Sequence, residues 1–297
     1  MLSGKVVLIT GAARGIGAAA AREVASRGAS VALVGLEGEE LERTAAACGP
    51  KAAAFEADVT DWDALGSAVD AAVERFGGLD AVVANAGIGG GGAVIQIDPA
   101  SFERIIEVNL LGQWRTLRTT LPHLQQRGGY ALVVASAAAA FWNPGMSAYN
   151  ASKAGVEALA RTAAAEMRHL GVRVGTAYFS WIDTDLVRAA QAHPATGELM
   201  RERLRGPLGR VYPVEETGRA IADGIEKRAR TVAVPSWVKG MLALRGLLQP
   251  LIELGGARGA PEAMQRMQAD IDARGAAASS APAGPGGEAA MRTAARG

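Results

Sequence analysis

The sequence predicts an α/β fold: a doubly wound parallel sheet with helices on both faces, followed by a C-terminal helical extension. Three observations predict it. Short apolar runs alternate with longer helical stretches over about the first 235 residues, the pattern of successive βα units. The first apolar run breaks into a glycine-rich turn that opens a helix. At 297 residues and 49% hydrophobic, the chain can bury a large core and need not contain more than one α/β domain.

Taken in order, Lys5-Val6-Val7-Leu8-Ile9-Thr10 is the kind of short apolar run a buried parallel strand needs. It runs into Gly11-Ala12-Ala13-Arg14-Gly15-Ile16-Gly17 and then the helical stretch Ala18 to Ala25. Glycines at a strand-to-helix turn let the backbone approach a pyrophosphate, whose charge is met by the helix N-terminus. The spacing here is G-x-x-x-G-x-G, not the dinucleotide fingerprint G-x-G-x-x-G. Further strands are expected at 31–34, 52–55, 79–84, 131–135, 172–178 and 231–234, with helices near 37–47, 61–75, 99–121, 150–170 and 214–228. Asp98-Pro99 reads as a helix start, with Asp as cap and Pro at the first helical position.

Beyond a main domain of 1–235, residues 236–274 read as an apolar helical extension. Its segment 237–254 is interrupted by Pro250 and scattered charges, and its apolar runs fall short of the ~18 residues a membrane span needs. It is expected to cap a substrate entrance or to pack on a partner subunit, with contact at a membrane surface less favoured. From Gly275 the chain is rich in Ala, Gly, Pro and Ser, so 275–297 is expected to be a disordered tail.

Charge and cysteine content narrow the function. With 31 basic and 30 acidic residues, no bulk electrostatic argument supports nucleic-acid binding. The lone Cys48 rules out an intrachain disulfide framework and fits a cytoplasmic location. The N-terminus passes almost at once into the first strand, so no signal peptide is expected. Three dispersed histidines, His193 among them on a polar loop, give no support to a metal site.

The residues that point to chemistry lie in the second half of the domain. Tyr149 and Lys153 are four apart at the start of a helix and so share a face. A fixed ammonium beside a phenol favours the phenolate, lowering a pKa of about 10 toward values useful for proton transfer. Ser136 follows the strand at 131–135 directly, at the carboxyl edge where such sheets bind ligands. Asn109 falls mid-helix, where Asn is neutral to mildly unfavourable, which suggests a role other than helix stability.

These residues resemble a known family. Thr10-Gly11-Ala12-Ala13-Arg14-Gly15-Ile16-Gly17, Asp58-Val59, Asn85-Ala86-Gly87, Asn109, Ser136 and Tyr149 with Lys153 match, in order and separation, the short-chain dehydrogenase/reductase family of the one-domain type. The likeness covers about residues 1 to 235 and implies a Rossmann-like fold. It implies an NAD(P)-dependent oxidoreductase acting on alcohols or ketones, with Tyr149 as general acid/base. Lys153 would lower the tyrosine pKa and bind the nicotinamide ribose, Ser136 would hold the substrate oxygen, and Asn109 would help hold a proton-relay water. Gly11, Arg14, Gly15, Ile16 and Gly17 would cradle the cofactor; Asp58 and Val59 would meet the adenine; Asn85, Ala86 and Gly87 would line its side. The alternative is a catalytically silent nucleotide sensor or scaffold of the same fold. The resemblance also implies a homodimer or homotetramer built on the two long helices after Pro99 and Tyr149.

Two features bear on specificity. Gly35 stands where NAD-preferring relatives carry Asp, so nothing there would repel a 2′-phosphate, and Arg14 could pair with one; Leu36 and the nearby Glu37 argue the other way. The balance leans slightly to NADP(H) over NAD(H). Where the family has Pro-Gly after the sixth strand, this chain has Phe179-Ser180-Trp181, followed by Ile182 and Thr184 at the positions that would meet the carboxamide. Phe141, Trp142, Met146, Phe179 and Trp181 cluster in sequence around the catalytic positions and point to a small hydrophobic substrate, with 187–212 as its lid.

Overall fold

Val7, Leu8 and Ile9 have no exposed surface, because their strand lies in the interior of a sheet covered on both faces. The computed structural model describes residues 1–195, 197 and 209–294. Among these, β1 (Val6–Thr10), β2 (Ser30–Gly35), β3 (Ala52–Glu56), β4 (Ala81–Ala84), β5 (Tyr130–Val134), β6 (Arg173–Phe179) and β7 (Thr231–Val234) form one sheet. Its order is β3-β2-β1-β4-β5-β6-β7, with every pairing parallel. The strand order reverses between β1 and β4, and a crevice opens beyond the carboxyl ends of those two strands.

Helices alternate with the strands: α1 (Gly15–Ser26), α2 (Gly38–Cys48), α3 (Trp62–Phe76), α4 (Pro99–Ile106), α5 (Gly112–Arg127), α6 (Ser147–Glu166), α7 (Asp185–Ala192) and α8 (Val214–Lys227). Alternate side chains of each strand point to opposite faces, so two cores form. On one face Leu8, Val82 and Val133 pack with Leu65, Leu117 and Val156. On the other Ile9, Leu33 and Leu132 pack with Val24, Leu41 and Ile221.

The stretch expected as one helix from Pro99 is divided. Asp98 accepts a hydrogen bond from the Ser101 N–H at 2.9 Å and caps α4 as its sequence suggests. A π turn then spans Glu107–Leu111, closed by the Gly112 N–H bonding the Glu107 carbonyl, before α5 continues. Such widened turns are rare and recur at functional sites. This one carries Asn109.

The extension is a single helix, α9 (Val238–Arg274), which continues through Pro250 and Pro261. Arg245 ties it to α6 through the buried Glu157 carboxylate, at 2.8 and 3.0 Å. Leu244, Leu247, Leu251 and Leu254 remain exposed on its outer side. Among the described residues no helix is long and apolar enough to cross a membrane.

The tail expected to be disordered from Gly275 instead forms α10 (Ala276–Ser280) and α11 (Pro285–Ala294). It docks through hydroxyl and backbone bonds and small buried residues, not through large apolar side chains. The Ser279 hydroxyl donates to Asp270 at 2.6 Å, the Ser280 hydroxyl accepts from the Asp98 N–H at 3.1 Å, and Ala289 and Ala290 are buried. His193, expected on a polar loop, meets this tail: its Nε2 lies 2.9 Å from the Ser279 carbonyl.

Candidate active site

The glycine turn after β1 is shaped by its glycines. Gly11 and Gly15 adopt positive φ (65° and 54°), which other residues rarely tolerate. A Cβ on Gly17 would come within 2.1 Å of the Gly11 carbonyl oxygen, so only glycine lets α1 start this close to the strand end. Asn85 staples the turn to the end of β4: its amide donates to the Thr10 and Gly11 carbonyls at 3.0 and 3.2 Å. In return the Thr10 hydroxyl accepts from the Asn85 and Ala86 N–H groups at 3.0 and 3.2 Å. The cradle is a backbone surface with no room for side chains, which fits a bound pyrophosphate at the N-terminus of α1.

Across the crevice stand the polar residues of β5 and α6. Lys153 is buried, and its ammonium donates to the Val134 carbonyl at 3.1 Å. That carbonyl also accepts from Gln113 at 3.0 Å. The Lys153 ammonium sits 5.8 Å from the centre of the Tyr149 ring. A Cβ on Gly87 would lie 3.5 Å from it and 3.2 Å from Asn109 Oδ1, so Gly87 keeps this corner open. The Ser136 hydroxyl accepts from the Ala138 N–H at 3.2 Å and lies 3.4 Å from the Phe179 carbonyl. Asn109 is fully buried and bridges elements: its amide donates to the Ile88 carbonyl at 2.9 Å and to Ser152 at 3.1 Å, while its oxygen accepts from the Ile88 N–H at 2.8 Å.

The proton affinities differ from the expectation that Lys153 acidifies Tyr149. Burial pushes the Tyr149 phenol up from its ordinary 10, with a hydrogen bond from Ser136 working the other way. The same burial lowers Lys153 from 10.5 to about 8. Desolvation penalises the charged form of both groups. At the far end of the crevice burial tends to raise the Asp58 carboxyl, but hydrogen bonds from Thr60 and the charge of Arg104 hold it below its usual value. Thr60 N–H and Arg104 approach it at 2.8 and 3.1 Å.

Arg14 is not free. Its guanidinium grips Glu37 with two nitrogens, Nε at 2.8 Å, and reaches Asp185 at 3.5 Å. The hydrogen bond to Glu37 is the main reason its pKa is raised. Both partners project at the crevice edge beside Gly35 and Leu36, where the lean to NADP(H) rested on Arg14 being available.

One cleft collects Gly11, Arg14, Gly15, Ile16, Asp58, Val59, Asn85, Ala86, Gly87, Ser136, Tyr149, Lys153, Ile182 and Thr184. Gly17 and Asn109 stand behind its wall and shape it. Thr184 caps α7, its hydroxyl 3.4 Å from the Val187 N–H, and the Phe179-Ser180-Trp181 turn is held by the Ser180 N–H on the Val234 carbonyl at 3.0 Å. Of the five residues proposed as an apolar substrate surface, Phe179 reaches the cleft; Phe141, Trp142, Met146 and Trp181 do not line it, and Trp142 is 45% exposed. Their sequence neighbours Ser136, Tyr149, Ser180 and Ile182 line the cleft, but these four side chains do not. Val187 lines the cleft, while 196 and 198–208 of the proposed lid at 187–212 lie outside the described residues. Among those described, no group of three or more His, Cys, Asp or Glu side chains is placed to hold a metal.

Sequence comparison decides the family. The family model for short chain dehydrogenases matches residues 5–195. The chain belongs to the short-chain dehydrogenase family. It is a nicotinamide-dependent oxidoreductase. Among its relatives, cis-4-hydroxycyclohexanecarboxylate dehydrogenase of Sinomonas cyclohexanicum is 37% identical over 222 residues, covering 73% of this chain and 88% of the relative. The crystal structure of 3-ketoacyl-(acyl-carrier-protein) reductase from Brucella melitensis, complexed with NADH, superimposes with a TM-score of 0.70 at 29% identity, covering 79% of this chain and 98% of that one. A short-chain dehydrogenase/reductase from Burkholderia phymatum in complex with NAD gives 0.73 at 25% identity, covering 86% and 96%.

Two contributors were not singled out from the sequence. Gln113 fixes the Val134 carbonyl on which Lys153 rests; its position four residues after Asn109, on the same helix face, is the available signal. Glu37 was weighed only as a repellent of phosphate. Its pairing with Arg14 joins two positions 23 residues apart at the ends of adjacent strands.

Proposed function

We propose that this chain interconverts a hydrophobic secondary alcohol and its ketone with NAD(H), Tyr149 carrying the proton. The observation that supports this best is the convergence of Ser136, Tyr149 and Lys153 on the carboxyl ends of β5 and β6, opposite the glycine cradle. The nicotinamide, when bound, supplies or accepts the hydride. Ser136 presents its hydroxyl to the substrate oxygen and holds it toward the phenol. Tyr149 gives its proton to that oxygen in reduction and takes it back in oxidation. Lys153, half-neutralised near pH 8 by burial, regains full charge when a polar ligand replaces lost solvation, and then draws the Tyr149 phenol down. Asn109 fixes the Ile88 backbone at the rear of the site through three hydrogen bonds.

Preference for NAD(H) is supported by the Arg14–Glu37 pair. A 2′-phosphate entering beside Gly35 would meet the Glu37 carboxylate, and the arginine that would welcome it is already neutralised. Glu37 is also placed to accept from a ribose hydroxyl. The solved neighbours in complex with NADH and NAD point the same way. For the substrate, the cleft walls Ile88, Val134, Ala135, Phe179, Leu186 and Val187 are apolar. The Sinomonas relative, named for a hydroxylated cyclohexane carboxylate, makes alicyclic ketones the first substrates to try.

Titration of the purified protein with NADH and, separately, NADPH, followed by nicotinamide fluorescence, tests this assignment. Tighter NADH binding, by about tenfold or more, is expected from one unfavourable charge contact to a phosphate. Tighter NADPH binding would reject the reading of Glu37.

A further inference from the structure

The C-terminal strap lies across the cleft just described. Its small residues Ala283, Gly284, Gly287, Ala289 and Ala290 face the same space as Gly11, Asp58 and Gly87. The strap is anchored at both ends of the crevice. Near the catalytic end the Ala283 N–H donates to the Gly89 carbonyl at 3.0 Å, and Gly284 (φ 81°) packs near the Asp185 carbonyl. Near Asp58, Arg104 donates to the Ala290 carbonyl at 3.0 Å and to the Thr293 hydroxyl at 2.9 Å, while holding Asp58 itself at 3.1 Å.

We propose that residues 281–294 form a further wall of the dinucleotide site, a strap that closes over bound cofactor and limits its release. The inference rests on the cofactor reading above. Three features carry it. Among the described residues, the hydrogen bonds that fasten the strap go to Gly89, to Arg104, to Asp58 from Thr293 and, just before it, to Asp98, at the two ends of the crevice. Among the described residues, the glycine cradle, Ser136, Tyr149 and Lys153 make no such bond with it, so the strap is fastened at the ends of the crevice and not to its catalytic floor. Its cleft-facing residues are Ala and Gly, which leave depth beneath it where larger side chains would intrude. With the strap in place the cleft holds a cavity of about 230 Å³. Pockets for drug-sized ligands run from about 300 to 1,000 Å³, so the strap has to shift outward before a dinucleotide fits beneath it.

The test is the dissociation rate of NADH, measured by stopped-flow fluorescence on displacement with excess NAD⁺. Three proteins are compared: the full chain, a chain ending at Ala281, and full-length Gly284→Val. The first variant keeps the buried Ser279 and Ser280. The second puts a branched residue at a left-handed position whose Cβ would lie 3.4 Å from the Asp185 carbonyl oxygen, and covers the case in which truncation prevents folding. Dissociation about tenfold faster or more in the variants, with weaker binding, is expected. Unchanged dissociation overturns the inference, and so does tighter binding by the shortened chain, which would make the strap a plug. If neither the full nor the shortened chain binds NADH, the cofactor reading itself fails and this inference with it.

Discussion

Replacing Lys153 by Met should make the cofactor-free protein more stable while removing its activity. Lys153 is 4% exposed, donates to the Val134 carbonyl, and titrates near 8 instead of 10.5. The gap of 2.5 pKa units corresponds to about 3 kcal/mol of penalty for keeping the charge in the folded state. Below pH 8 both folded and unfolded chains hold the proton, so the penalty is present in full. Between 8 and 10.5 the folded chain has released it and the unfolded chain has not. The unfolded state then binds more protons, stability rises with pH, and the penalty fades. From pH 7 to pH 9.5 the wild type should gain about 2 kcal/mol relative to Lys153→Met, or roughly 4 °C in melting temperature for a chain of this size. Thermal unfolding of both proteins across that range is the assay. A variant that is less stable at pH 7, or a difference that does not narrow as pH rises, would refute the claim that this lysine is held charged at a desolvation cost.

Three further predictions follow from the same geometry. Glu37→Gln should free Arg14 and remove a negative charge, strengthening NADPH binding by about tenfold or more with a smaller loss for NADH, as read by fluorescence titration. Asn109→Ala should leave the Ile88 N–H and C=O buried without partners and destabilise the protein by about 2–5 kcal/mol, seen in the denaturant midpoint; a loss under 1 kcal/mol would show that the π turn repacks. Gly17→Ala should abolish cofactor binding or unfold the turn, since its Cβ meets a backbone oxygen that no rotamer change can move; normal NADH affinity would count against the cradle as drawn.

The sheet was legible because buried parallel strands are written as uninterrupted apolar runs: Val6 to Thr10 and Thr231 to Val234 are as clear in the sequence as in the fold. The glycine turn was legible because a side chain at Gly11 or Gly17 would collide with backbone and Gly15 takes a positive φ that favours glycine. What was not legible depends on partners far apart in sequence. Arg14 and Glu37 were each weighed against a cofactor phosphate, and not against each other. The Tyr149 and Lys153 pKa values follow from burial, which the i, i+4 spacing does not report. The strap was misread because alanine, glycine and serine give no hydrophobic period, yet they are the residues that fit a tight docking made of backbone and hydroxyl bonds. Trp142 shows the converse: a large aromatic beside the site in sequence that ends up facing solvent.

The most direct test of the account is the turnover of Tyr149→Phe with NADH and an alicyclic ketone such as 4-oxocyclohexanecarboxylate, alongside its NADH affinity. Loss of the proton-transferring hydroxyl should lower kcat by about 10²–10⁴-fold while NADH binding stays within about threefold of wild type. Near-normal turnover in that variant would contradict the assignment of Tyr149 and, with it, the mechanism proposed for this cleft.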